Sequence, residues 1–117
     1  MDFFDNEIIR AEAAELMETF QEIQSLLMSQ KFRSQEGGLR YLQLMERLLE
    51  LQEMIFFRAK YSKEEDAKEY IEVLNKTLPF VSKEGETDPG QVFRRMKQEL
   101  ADMKKFVEWL DTTPDPW

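Results

Sequence analysis

The chain has 117 residues, 42% of them hydrophobic and 34% charged, which fits one small packed domain and argues against disorder. It has no cysteine and no histidine, which counts against disulfides, thiolate or zinc sites, haem ligation and histidine-based triads. A net charge of −8 disfavours general binding to phosphate backbones. No apolar run approaches the length of a membrane span. The start, Met1-Asp2-Phe3-Phe4-Asp5, lacks the basic and small-residue features of a secretory signal, so the expected location is cytoplasmic.

The first predicted helix covers about residues 6–31. Asp5 or Asn6 can cap it, and Glu7 sits well at the positive end of its dipole. Its apolar residues Ile9, Ala13, Leu16, Phe20, Ile23 and Leu27 follow one another by three or four, which places them on one stripe. The segment Lys31 to Gly38 is a break, because the Gly37-Gly38 pair weakens a helix. Ser34 is a candidate cap for the second helix, so that helix starts at Gln35 or, more conservatively, at Leu39.

The second helix runs to about Tyr61 and carries two seams. Leu44, Leu48, Leu51 and Ile55 form one; Leu42, Met45, Leu49 and Phe56 form the other. Contact from two sides puts this helix at the centre, or gives it a dimer face. Ser62-Lys63-Glu64-Glu65 reads as a capping box that breaks the chain near residue 62. A short third helix over about 63–78 turns Ala67, Tyr70, Ile71, Leu74 and Leu78 inward and stops at Pro79.

A loop with Gly85 leads to Asp88-Pro89-Gly90-Gln91. Here Asp88 is the cap, Pro89 the first helical residue and Gln91 the reciprocal capping partner. The fourth helix ends near Leu110 or Asp111. It repeats the apolar spacing of the first through Phe93, Met96, Leu100, Met103, Val107 and Leu110. The domain is therefore 1–111. Residues 112–117, with Pro114 and Pro116, form an extended tail ending in Trp117.

Carboxylates recur at helical spacing. Glu12 and Glu15 on the first helix, with Glu50 and Glu53 on the second, are the sharpest enzyme candidates. All-α nucleotide pyrophosphohydrolases hold magnesium with such pairs. Here Glu15 and the stripe Glu46, Glu50, Glu53 are expected to point away from the seams, and only Glu12 flanks the core. Solvated helix faces are the better reading, so no catalytic, metal or cofactor residue is assigned. The basic residues Arg94, Arg95, Lys97, Lys104 and Lys105 lie among acids, and an RNA surface would need them to gather with Arg40, Arg47 or Arg58. Phe3, Phe4, Phe57, Trp109 and Trp117 lie at helix ends or off the seams, where they either close the ends of the bundle or serve a protein interface, and they are the partner-binding candidates.

Three segments resemble a small all-helical protein family of unknown function found in cyanobacteria. They are Met1-Asp2-Phe3-Phe4-Asp5-Asn6-Glu7-Ile8-Ile9, the pattern from Leu42 through Met45 to Phe56-Phe57-Arg58, and Asp88-Pro89-Gly90-Gln91-Val92-Phe93. The resemblance covers residues 1 to about 96. It implies a cytoplasmic bacterial protein with no assigned catalytic residues. The Gly37-Gly38 pair and the stretch after Met103 depart from its pattern.

The expected fold is all-α: a four-helix bundle-like domain with three long helices and one short one. Long seams outrun the short third helix, so a homodimer is expected to bury the remainder. The expected function is non-catalytic, through protein–protein interaction or as a regulatory adaptor. The alternative is a magnesium-dependent nucleotide pyrophosphohydrolase.

Overall fold

The computed structural model describes residues 3–112, with side chains described up to residue 109. Four helices pack together: α1 (Glu7–Leu27), α2 (Gln35–Lys60), α3 (Glu65–Val81) and α4 (Pro89–Thr112). Short 3-10 turns at Phe3–Asp5 and Gln30–Arg33 flank α1, and no strand occurs among the described residues. Residues 113–117, including Trp117, lie outside the described region.

Most boundaries have a visible chemical cause. The Asn6 side chain accepts the Ile8 amide at 2.8 Å and starts α1. That helix stops at Leu27, short of the expected 31, because Ser29 takes up an extended backbone and its hydroxyl accepts the Lys31 amide, opening a new turn. The Ser34 hydroxyl accepts the Gly37 amide at 3.0 Å, so α2 begins at Gln35 and both glycines lie in its first turns. A Cβ at Gly37 would collide with the Lys31 carbonyl, so glycine is what lets the preceding turn fold back onto the helix.

The α2–α3 break falls where expected, but the capping box does not form. The Ser62 hydroxyl accepts the amide of Glu64, one residue early, and α3 starts at Glu65 with no side-chain cap. Pro79 does not end α3, which continues to Val81. Beyond the missing proline N–H the last turn is held from α4, where Arg95 donates to the Val81 carbonyl at 2.6 Å, and Leu78 and Val81 line one cleft with Val92, Phe93 and Met96. Before α4, Asp88 Oδ1 accepts the Gly90 amide at 2.7 Å and Gln91 Oε1 accepts the Asp88 amide at 3.2 Å, the reciprocal cap expected there.

The second helix is central, as its two seams require. It contacts α1, α3 and α4. The pairs Glu22–Arg40 and Glu15–Arg47 ascend α2 as they descend α1, and Glu53–Lys97 and Gln35–Val107 do the same against α4. The helices α1 and α4 thus run antiparallel to α2 on its two flanks. Together they form a layer one helix thick.

The third helix lies across one half of this layer only. Ala67 joins Phe3, Ile9, Ile55 and Ala59 in one core cluster. Leu74 packs on a second, formed by Leu42, Leu49, Phe56, Phe93 and Leu100, and Ile71 touches both. At 1.5 Å per residue α3 is about 25 Å long against about 39 Å for α2. The radius of gyration is 17.1 Å, where a compact chain of this length has about 13 Å. The molecule is a long layer with a fourth helix over one end, not a closed bundle.

Candidate functional site

The two sides of the α1–α2–α4 layer have opposite chemistry. On the side away from α3 the carboxylates of α1 meet the guanidinium groups of α2. Arg47 Nε donates to Glu15 Oε1 at 2.7 Å, and its Nη1 to Glu50 Oε2 at 3.2 Å. Arg40 donates to Glu22 and Arg58 to Glu12, at 2.9 and 2.7 Å. Lys97 reaches Glu53 at 2.7 Å. The hydrogen bond from Arg47 holds the Glu15 carboxyl below its usual range against the opposing effect of desolvation.

This arrangement bears on the acidic-pair reading. Glu15 and Glu50 do come together, but on Arg47, whose guanidinium stands where a shared cation would have to sit. Glu12 and Glu53 are held apart by Arg58 on one flank and Lys97 on the other. Among the described residues no group of three or more acidic side chains gathers as metal ligands. The geometry therefore gives no support to a magnesium-dependent hydrolase. The RNA reading fares no better, because Arg40, Arg47, Arg58, Arg95 and Lys97 are each bonded to a carboxylate rather than gathered into a basic patch.

Glu12 is buried, as its flanking position predicts. Its Oε1 is bonded to Arg58, while Oε2 has no hydrogen-bond donor among the described residues. Thr19, also buried, returns its hydroxyl proton to the Glu15 carbonyl at 2.8 Å. The buried stripe of α1 is thus rotated from the expected seam. It runs Ile9, Glu12, Thr19, Ile23, leaving Phe20 and Leu27 half exposed.

Those two residues belong to the other side of the layer. The α2 stripe Ala59, Ile55, Gln52 lies under α3, and the same four-three spacing continues through Leu48, Met45 and Tyr41 beyond its reach. Phe32 leans edge-on against Tyr41 at 5.3 Å and closes the far end. On α1 the corresponding positions are Ala13, Leu16, Met17, Phe20, Gln24 and Leu27; on α4 they are Met103, Phe106 and Val107. None of these twelve positions is charged, in a chain that is 34% charged. Phe20 is 43% exposed, Met103 51% and Phe106 59%. This open apolar half-face is the candidate site.

The predicted aromatic contacts divide. Phe3 is buried in the core with Ile9, Ile55, Ala59 and Ala67 rather than presented at the surface. Its placement depends on Asp66, whose two carboxylate oxygens accept the Phe3 and Phe4 amides at 2.9 and 3.0 Å. Desolvation raises the Asp66 pKa, but these bonds and one from Ala67 outweigh it and leave the carboxyl below its usual range. Phe4 is partly exposed and stands edge-on to Phe3 and Tyr70. Phe57 is partly exposed on α2 beside Phe56 and Gly90. Trp109 is exposed and stacks on Phe106 at 6.1 Å, next to the open half-face.

A family model described as a domain of unknown function, DUF1825, matches residues 1–107. The chain belongs to that family. The match runs through Gly37-Gly38 and on to Val107, further than the resemblance read from the sequence. No curated protein and no solved structure matches the chain. No helix among the described residues is long and apolar enough to cross a membrane.

Proposed function

We propose that this chain is a non-catalytic docking protein, an interaction or regulatory adaptor that works through the open half-face of α1, α2 and α4. One observation carries the reading: the α2 stripe that α3 covers continues past the end of α3 through the half-buried Leu48, Met45 and Tyr41, flanked by the exposed Phe20 and Met103. Uncharged apolar surface of this extent is characteristic of interaction sites. Helix faces docked on it would complete the row that α3 begins, which is helix-on-helix recognition. Trp109 and Phe106 would extend the contact at its edge. The reading includes cytoplasmic residence, in keeping with a chain that carries no cysteine.

Photo-crosslinking in the source cell tests it. A photoreactive residue at position 20, 45 or 103 should give one discrete adduct, and the same residue at position 18 or 50, on the charged surface, should give none. Equal labelling at both sets of positions would overturn the docking reading.

A further inference from the structure

We infer that the occupant of the open half-face is the same half-face of a second copy, related by a two-fold axis that crosses the helices near Met45. This rests on the docking reading above and names its partner. Three observations favour a second copy.

The first is charge. The chain carries −8 overall, yet the twelve positions named above carry no charge, and Glu99, which stands between Met96 and Met103 at the edge of the half-face, is paired with Lys83 and Arg95. Two copies repel one another through the rest of their surface and meet neutral on neutral here. A partner chosen by charge complementarity would find nothing on this face to read.

The second is area. Three helices spaced by 8–10 Å, open over about 20–25 Å of their length, present roughly 600 Å² of projected area. The accessible area of such a ridged surface is larger, which brings each copy near the roughly 800 Å² per partner of a standard interface.

The third is shape. The helix α3 stands one helix diameter, about 10 Å, above the layer. The layer of a second copy is also one helix thick, so it fills the step beside α3. That step selects the symmetry. A two-fold axis parallel to the helices would bring the two α3 helices against each other at the same end and hold the open halves apart. An axis across the helices puts open half on open half, with each α3 at an outer end. It sets α1 antiparallel to its counterpart, and α2 and α4 likewise.

The pairs Glu22–Arg40 and Glu15–Arg47 bracket the level of Phe20 and Met45, and Glu53–Lys97 and Gln35–Val107 bracket Met103. These three residues therefore lie close to the axis, where each faces its own counterpart. A self-facing position has a distinctive signature: one charge placed there repels its twin, and opposite charges in two chains attract.

The test uses the purified full chain and the variants Met45→Lys and Met45→Glu. Sedimentation at about 100 µM should give the wild type twice the 14.0 kDa chain mass and each variant the single mass. An equimolar mixture of the two variants should regain the double mass, with association at least about ten-fold tighter than either alone. Met54→Lys, on the other side of α2, should leave the wild-type mass unchanged. If Met45→Lys fails to fold, Phe20→Lys and Phe20→Glu give the same readout. A wild-type chain of single mass overturns the second copy while leaving the docking reading to the crosslinking result. A variant mixture that stays at single mass overturns the axis.

Discussion

The two halves of the α2 stripe share one periodicity and differ in what lies on them. Under α3, Ile55 and Ala59 are buried with Phe3, Ile9 and Ala67. Beyond α3, Leu48, Met45 and Tyr41 continue the same rows partly exposed. The covered half is a core made within one chain. The open half has the composition of a core and no cover of its own. Apolar periodicity shows that a surface is to be buried, while helix length decides whether one chain can bury it.

The largest effect should come from contrasting these halves directly. Ile55→Ala should cost about 3 kcal/mol in denaturant unfolding, as a buried aliphatic truncation does. Phe20→Ala, measured at low chain concentration, should cost less than about 1 kcal/mol. Equal costs would mean that the open half is already core.

The turn that closes the open end can be broken at one glycine and tightened at the next. Gly37→Ala drives a Cβ into the Lys31 carbonyl and should destabilise by about 2 kcal/mol or more. Gly38→Ala meets no atom within 4 Å and should stabilise by roughly 0.5–1 kcal/mol. Thermal melts of the pair check the opposite signs.

The ion pair of Arg58 and Glu12 separates the charged side from the core. Arg58→Ala leaves the Glu12 carboxylate, 9% exposed, without a cation and should cost about 2 kcal/mol. Glu12→Leu removes the buried charge and leaves the solvent-accessible Arg58 free to hydrate, so its cost should fall below about 1 kcal/mol.

Acid should loosen the covered half through Asp66. Its folded carboxyl lies below the ordinary value of 3.8, so its contribution to stability is complete above that value and is lost as the pH falls through the folded pKa. The Phe3 and Phe4 amide resonances should report this titration with a midpoint under 3.8. Asp66→Asn should abolish that midpoint. A midpoint above 3.8 would show that the Phe3 turn is not held as described.

Much of the fold was legible in the residues. The central place of α2 follows from its two seams, and the start of α4 from Asp88 and Gln91. The misread boundaries have two causes. Pro79 and Ser62 are local signals whose outcome was settled by tertiary contacts, Arg95 on the Val81 carbonyl and Asp66 reaching the chain start, while the early end of α1 comes from a local cap at Ser29. The rotation of the α1 stripe was hidden because a buried Glu12 and Thr19 look polar until their partners, Arg58 and the Glu15 carbonyl, are in view. The open half-face was legible only as surplus seam length. Which aromatic residues line it was not: Phe3 went to the core, while Phe20 and Phe106 came to the surface.

Methionine methyl resonances test the central claim most directly, because the methionines sample both kinds of surface. Met17, Met45 and Met103 lie on or beside the open half-face, Met96 beneath α3, and Met54 on the other side of α2. On raising the concentration of the purified chain, the first three should shift together while Met96 and Met54 stay fixed. Constant positions for all five, or a shift confined to Met54, would contradict it.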